Sequence, residues 1–197
     1  STDGISSIQG SFFGALRHSH LRWAVVAQFF YVGAQVCVTS FFIRMAEQGA
    51  GFDEKTAAYY LAIYGFLFTV GRFAGTAMLQ FISSNKLLAI YAFVSVLLCA
   101  VAIFGNGAYV VYALGGLGFF MSIMFPTIFS LAISGLGEHT KTGSSLIVMA
   151  IVGGAILPLF LGYISDVTQN IQYGYIVPLI CFAVVFLFAK NVKAPLE

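Results

Sequence analysis

Six long apolar runs, separated by short polar or glycine-rich breaks, extend through this sequence. A bilayer core about 30 Å thick is crossed by a helix of about 20 apolar residues. Membrane-spanning strands would alternate apolar and polar residues, which these runs do not do. The chain is therefore predicted to be an all-α, polytopic membrane protein. Its six predicted transmembrane helices lie approximately at Trp23 to Ile43, Ala57 to Phe81, Leu87 to Phe104, Ala108 to Ser134, Ser145 to Ile164 and Tyr173 to Ala189.

Composition agrees with a bilayer as the surrounding medium. Only 8% of the 197 residues are charged, whereas soluble domains carry about 25%. The formal net charge of +2 is small and dispersed, so nucleic acid is not an expected partner. Cys37, Cys99 and Cys181 lie inside apolar runs and the histidines lack ligand spacing, so no disulfide framework, metal site or cofactor is expected. No nucleophile and base arrangement indicates an enzyme.

The distribution of lysine and arginine over the breaks predicts the orientation, because basic residues mark the cytoplasmic side. On the side of the two termini lie Arg17, Arg22, Lys86, Lys141, Lys190 and Lys193, against Arg44 and Lys55 opposite. Both termini are therefore expected in the cytoplasm. Residues 1–20 are expected to be the end of a linker within a longer chain, 21–190 the transmembrane domain and 191–197 a cytoplasmic tail.

A polar stripe runs along the first predicted helix. Gln28, Tyr31, Gln35 and Thr39 fall within about 80° of arc at about 100° per residue. Amides and a phenol suit sugar hydroxyls, and the tyrosine ring offers a flat surface for stacking. Two interpretations are open. We favour a face that lines a substrate cavity; the alternative is hydrogen bonding between helices, worth about 0.6 to 2 kcal/mol per bond.

Arg72 is the single charge deep within a predicted helix, in a Gly-Arg-Phe-Ala-Gly segment at 71–75. An arginine at the bilayer centre costs about 2.5 to 3.5 kcal/mol. The guanidinium should therefore face a wet cavity, backbone carbonyls at a helix end, or the cytoplasmic interface. Tyr64 and Phe68 precede it at four-residue intervals and are predicted to form a wall beside it. Gly71 and Gly75 form a GxxxG pattern, which favours close helix packing.

Prolines predict bends in the fourth and fifth helices. Pro126 has no backbone N–H and its ring clashes with the preceding turn, so the helix should bend there. Pro158 follows a Gly-Gly-Ala stretch at 153–155 and predicts a second flexible section. Transporters bind substrate at such bent or broken helices near the midplane. The predicted substrate-binding residues are Gln28, Tyr31, Gln35, Tyr64, Phe68, Arg72, Ser122 and Phe125.

Five short segments, in order along nearly the whole chain, resemble segments of a known family. They are Tyr-Val-Gly-Ala-Gln at 31–35, Gly-Arg-Phe at 71–73, Phe-Pro-Thr-Ile-Phe-Ser-Leu at 125–131, Gly-Ser-Ser at 143–145 and Val-Gly-Gly-Ala at 152–155. Together they resemble the C-terminal half of the fucose:proton symporter and glucose/galactose transporter family within the major facilitator superfamily. At 124–126 this sequence has Met-Phe-Pro, which is similar to the glucose/galactose members. The fucose transporters have Gln-Tyr-Pro at this position. The 31–35 segment and Ser-Phe-Phe-Ile-Arg at 40–44 are closer to the fucose transporters.

The resemblance implies that these six helices correspond to the seventh to twelfth of a twelve-helix transporter. It implies that two six-helix halves rock around a central sugar site. It also implies that protons are the coupling ion and that acidic residues of the N-terminal half carry them, since the predicted helices here contain no Asp or Glu. The expected location is the bacterial inner membrane.

The leading hypothesis is the C-terminal half of a proton-coupled sugar symporter. L-fucose is the first candidate substrate, followed by glucose, galactose or another hexose. The expected partners are the sugar, the lipid bilayer and the N-terminal six-helix half. A non-transporting six-helix assembly module is an alternative from a different class, and a six-helix carrier that pairs with itself is a further one.

Overall fold

The computed structural model describes residues 2–193, which form eleven α-helices and two short 3₁₀ turns. The helices are α1 (Thr2–Leu16), α2 (Ser19–Ser40), α3 (Phe42–Ala50), α4 (Glu54–Met78), α5 (Ser84–Phe104), α6 (Ala108–Met121), α7 (Met124–Ile133), α8 (Thr140–Met149), α9 (Gly153–Thr168), α10 (Ile171–Gly174) and α11 (Ile176–Asn191). The 3₁₀ turns, Gly137–His139 and Ala150–Val152, lie on either side of α8.

Six helical stretches are long and apolar enough to cross a membrane, as the sequence predicts. Three of them are the single helices α2, α4 and α5. The other three are interrupted: the fourth consists of α6 and α7, the fifth of α8 and α9 with their 3₁₀ turns, and the sixth of α10 and α11. The fifth stretch, Gly137–Thr168, is longer than predicted because helical turns begin before Ser145.

Helix also forms in two regions where the sequence predicts connections. Residues 2–16 form α1 within the predicted linker, and their role as a linker stays a prediction. Helix α3 occupies much of the predicted break after the first span. It ends at Gly51, whose φ of 74° is a left-handed conformation that glycine adopts readily. Of the predicted tail, residues 194–197 lie outside the described residues, as does Ser1.

Asp53 begins α4 as its N-cap. Its carboxylate accepts hydrogen bonds from the backbone N–H of Thr56 at 3.2 Å and from the Thr56 hydroxyl at 2.6 Å. These bonds lower the pKa of the Asp53 carboxyl. The cap satisfies a donor of the first helical turn, and it fixes where the second transmembrane stretch starts.

Helix α2 lies at the centre of the bundle, where it packs against α7, α9 and α11, while α5 packs against α6 and α11. In the most apolar part of α2, 56% of the residues are buried, compared with 17% in that of α4 and 28% in that of the fifth stretch. Helix α4 packs mainly on α6 and α3. The α4 and α9 segments therefore present much of the uncovered surface of this half.

Glycines bring α4 and α6 into backbone contact. A Cβ atom at Gly71 would lie 2.5 Å from the carbonyl oxygen of Phe119, and a Cβ atom at Gly118 would overlap the carbonyl of Tyr64. The close packing predicted from the GxxxG pattern occurs here, since Gly75 also faces Ile123. Helix α4 consequently lies directly against the junction between α6 and α7.

Candidate functional site

The fourth transmembrane stretch is broken at Ser122 and Ile123, between α6 and α7. In a continuous helix the Ser122 carbonyl would accept from the N–H of residue 126. That residue is Pro126, which has no N–H. Pro126 lies in the first turn of α7, where a helix tolerates proline. The predicted bend is therefore a full break that begins before the proline, and it leaves backbone carbonyls in need of other donors.

Two side chains of α2 donate to carbonyls on either side of the break, one at the last residue of α6 and one in the first turn of α7. The Tyr31 hydroxyl donates to the Met121 carbonyl at 3.0 Å, and Gln28 Nε2 donates to the Phe125 carbonyl at 3.3 Å. Gln28 and Tyr31 are 0% and 1% exposed. Gln28 Oε1 is buried without a hydrogen-bond partner among the described residues. Hydrogen bonding between helices, the alternative interpretation of the polar stripe, is thus present at both residues, and their contact with substrate stays a prediction.

The third donor is Arg72 of α4, whose Nε donates to the Ser122 carbonyl at 3.2 Å. Its guanidinium carbon lies 5.2 Å from the ring centroid of Phe68, within the range of a cation–π interaction. Because α4 ends at Met78, Arg72 lies about two turns from the end of the helix. A backbone carbonyl is one of the three destinations expected for this side chain, although the carbonyl belongs to a neighbouring helix.

Of the remaining predicted residues, Tyr64 lies beside the break and Gln35 lies apart from it. Tyr64 is buried, its hydroxyl lies 3.8 Å from the sulfur of Met121, and its ring centroid lies 6.4 Å from that of Phe68. Gln35, by contrast, lies about one turn beyond Tyr31. It is half-buried, and its side chain makes no hydrogen bond within residues 2–193. All of the predicted site residues except Gln35 therefore meet around the break.

Arg72 is exposed on the uncovered face of α4 and borders an open groove of about 590 Å³, whose lining residues all belong to the single segment 68–80. The groove is lined by Phe68, Thr69, Arg72, Phe73, Thr76, Ala77 and Gln80. Thr69, Thr76 and Gln80 were not predicted from the sequence, although their spacing from Arg72 places them on one side of a helix. No hydrogen bond from the two terminal nitrogens of Arg72 occurs in the described part of the chain. These nitrogens are thus available to a ligand with hydroxyl groups.

Two contacts of residues beside the break were also not predicted. The Ser122 hydroxyl donates to the Phe119 carbonyl at 2.6 Å, so it caps α6 instead of facing the groove. Met121 contributes its carbonyl and its sulfur to the two tyrosines. The sequence signal for the free Ser122 carbonyl was Pro126, because the residue four positions before a proline loses its helical donor.

The second predicted bend has a different structure. Pro158 lies inside α9, and the interruption of the fifth stretch is the 3₁₀ turn Ala150–Val152 that precedes it. A Cβ atom at Gly153 would overlap the Phe29 carbonyl of α2. The glycine therefore allows close contact between the two helices at the start of α9.

Comparison with known proteins gives several long matches. The chain is 45% identical over 187 residues to the L-fucose-proton symporter of Escherichia coli, covering 92% of the chain and 43% of the relative. It is 42% identical over 176 residues to a putative glucose/galactose transporter of Helicobacter pylori, covering 87% of the chain and 43% of the relative. The chain thus spans less than half the length of these relatives. No protein-family model matches it.

Solved structures agree with these matches. The crystal structure of a fucose:proton symporter from E. coli superimposes with a TM-score of 0.90 at 43% identity, over 92% of this chain and 45% of that one. A major facilitator superfamily transporter in the outward conformation gives a TM-score of 0.86 at 43% identity, over 89% and 44% of the two chains. A peptide transporter with 15% identity and a TM-score of 0.75 shares the fold alone. This multi-pass membrane chain, with its broken fourth span, therefore has the fold of one half of a major facilitator superfamily transporter, and it matches fucose:proton symporters and glucose/galactose transporters along about nine-tenths of its length.

Proposed function

We propose that this chain is the C-terminal half of a proton-coupled sugar symporter, with L-fucose as its first candidate substrate. The sugar would move by alternating access between this half and an N-terminal six-helix half. The name of the E. coli relative and its 45% identity support the choice of L-fucose. The bacterial inner membrane, with both termini of this half in the cytoplasm, is part of the same proposal.

The geometry of Arg72 is the observation that carries this proposal. Its Nε is held by the Ser122 carbonyl at a broken helix, while the side chain borders the open groove. A guanidinium offers five N–H donors in a fixed plane, so one bond to the break leaves donors for sugar hydroxyls. Phe68 beside it supplies an apolar ring, which suits the C–H face of a sugar. Binding pockets commonly combine such apolar walls with a few oriented polar groups.

The other predicted residues take roles that depend on their positions. Gln35 is half-buried and its side chain has no hydrogen bond in the described part of the chain, so we propose that it contacts the sugar directly. Gln28 and Tyr31 hold the break in the present conformation. They would reach substrate when α7 moves relative to α2, and Tyr64 would contribute to the wall. Phe125 would contribute its half-buried ring.

Proton coupling is assigned to acidic residues of the N-terminal half. The carboxylates of this chain within residues 2–193 are exposed, and they lie at helix ends and in connections. A coupling group must gain and release a proton near the substrate path. This chain reconstituted alone in liposomes is therefore expected not to accumulate sugar under an imposed pH gradient, and accumulation by it would contradict the two-half proposal.

A counterflow assay tests the substrate. The complete native polypeptide is reconstituted in liposomes preloaded with unlabelled sugar, and uptake of labelled L-fucose, glucose, galactose and an unrelated amino acid is compared. We expect L-fucose to exchange best. Gln35→Ala should weaken binding severalfold, the loss of one hydrogen bond of about 0.5 to 1.5 kcal/mol. Failure of every hexose to exchange would refute transport of these sugars.

Glucose or galactose is the second candidate. The match to the H. pylori transporter, at 42% identity, supports it. So does Met-Phe-Pro at 124–126, which places a thioether and a phenyl ring at the break where an amide and a phenol would add two polar groups. Preferential counterflow of glucose or galactose would establish this specificity in place of L-fucose.

A further inference from the structure

Helix α1 attaches to the bundle by its polar, glycine-containing side. The Ser11 hydroxyl lies 2.7 Å from the hydroxyl of Thr142, and a Cβ atom at Gly14 would overlap the ring of His139. Ala15 is the buried residue of this helix. A helix of a water-soluble protein would instead turn its apolar face toward the protein interior.

Four large apolar side chains of α1 point outward. Ile5, Ile8 and Phe13 are 60%, 69% and 64% exposed, and Phe12 is 38% exposed. Leu16, at the end of the helix, is half-buried against the bundle core, whereas Ile5, Ile8 and Phe12 form an exposed surface within about 60° of arc at about 100° per residue. We call this surface the α1 stripe. Ser7 lies about 160° away from Ile5 on the opposite, polar side.

The position of α1 fixes what this stripe meets. Only Arg17 and His18 separate α1 from α2, which spans the membrane. Trp23, about one turn into α2, is 64% exposed, and exposed tryptophan is typical of the membrane–water interface. Arg17 and Arg22 flank the junction and are exposed, so they can pair with anionic headgroups. Helix α1 is thus tethered at the level of the headgroups, with basic residues at its end.

We propose that α1 is an interfacial helix that binds the phospholipid surface through the α1 stripe. Interfacial helices insert large apolar side chains at the boundary of headgroups and acyl chains while their polar side remains outside. Here the polar side is occupied by the bundle through Ser11 and Gly14. The helix would anchor the start of α2 to the membrane surface, a function separate from sugar binding at the break.

Site-directed spin labelling tests this proposal. Ile5→Cys and Phe12→Cys are labelled on the stripe, and Ser7→Cys is the matched control on the same helix. The complete native polypeptide is reconstituted in vesicles of phosphatidylcholine and phosphatidylglycerol. Collision rates with oxygen, which concentrates in lipid, and with a water-soluble nickel chelate are then measured. Cys37, Cys99 and Cys181 are buried, and labelling of the unsubstituted protein gives the background.

We expect the ratio of oxygen to nickel collisions to be several-fold higher at the two stripe positions than at Ser7→Cys. Equal ratios at all three positions would place α1 in water and overturn the proposal. Low collision rates with both reagents at the stripe would also overturn it, because they would show that protein, either the other half or a second copy, covers α1. None of these outcomes depends on whether the protein transports sugar.

Discussion

Three buried tyrosines differ in what their hydroxyl groups contact, and together they test whether hydrogen bonds hold the broken helix. Tyr31 donates to the Met121 carbonyl at 3.0 Å, and Tyr64 lies 3.8 Å from the Met121 sulfur. The hydroxyl of Tyr175 has no partner among the described residues. The three side chains are 1%, 5% and 0% exposed. Substitution by phenylalanine therefore removes the same atom from equally buried positions.

The expected losses of stability follow from these contacts. Hydrogen bonds between transmembrane helices contribute about 0.6 kcal/mol on average and up to about 1.7 kcal/mol. An acceptor left unsatisfied in a buried site costs about 1 to 3 kcal/mol. Tyr31→Phe should therefore cost about 1 to 2 kcal/mol, because the freed Met121 carbonyl lies at a break. Tyr64→Phe should cost less than about 0.5 kcal/mol, since sulfur is a weak acceptor. Tyr175→Phe should leave stability unchanged or raise it.

Reversible unfolding of the purified complete protein in one detergent measures these differences. The order of destabilisation should be Tyr31→Phe, then Tyr64→Phe, then Tyr175→Phe. If Tyr31→Phe were no more destabilising than Tyr175→Phe, the hydroxyl bond would not hold the break. A double substitution, Tyr31→Phe with Gln28→Leu, should cost more than the sum of its parts if the two α2 donors together hold α6 and α7 on the two sides of the break.

Three further changes test other contacts. Arg72→Lys should impair sugar uptake with near-normal expression, because lysine keeps the charge and loses the planar fork; normal uptake in Arg72→Leu would contradict a transport role. Gly118→Ala should destabilise the protein by about 1 to 3 kcal/mol in a thermal unfolding assay, because the added methyl group would overlap the Tyr64 carbonyl of α4. Gly115→Ala should not destabilise it, because a methyl group at this position meets no atom within 4 Å. Gln172→Ala should cost about 1 to 2 kcal/mol by the same assay, because Gln172 Nε2 contacts three carbonyls at the end of α5; Gln48→Ala, an exposed control, should have no effect.

Hydropathy was sufficient to predict the six spans, because a bilayer imposes the same length and polarity on every crossing helix. The connections were harder. Ile5, Ile8 and Phe12 follow a helical spacing that predicts α1 in retrospect, but the mostly polar composition of residues 1–20 favoured a linker. Helix α3 continues past Arg44 because charged residues end a membrane span without ending a helix, and only Gly51 terminates it.

The interruption of the fourth span was predictable from Pro126, whereas the side chains that donate to its carbonyls were not. Periodicity correctly placed Gln28 and Tyr31 on one face of α2, and both do contact polar groups. A buried amide satisfies its hydrogen bonds equally well with a sugar or with a backbone carbonyl. The sequence therefore could not distinguish side chains that line a cavity from side chains that form hydrogen bonds to a neighbouring helix. That distinction depends on which helix packs against Gln28 and Tyr31, here the fourth span.

Helix α2 connects the two interrupted spans by different kinds of contact. Toward the fourth span it presents Gln28 and Tyr31, which donate hydrogen bonds to carbonyls on both sides of the break. Toward the fifth span its Phe29 carbonyl lies directly against Gly153, and close contacts at Gly33 and Gly154 continue this packing along the two helices. Hydrogen bonds of side chains can exchange one carbonyl for another as α7 shifts, but a glycine contact between backbones allows little movement without separation of the helices. Movement within this half should therefore concentrate between α2 and α7, where the predicted sugar-binding residues meet, while α2 and α9 move together as one body.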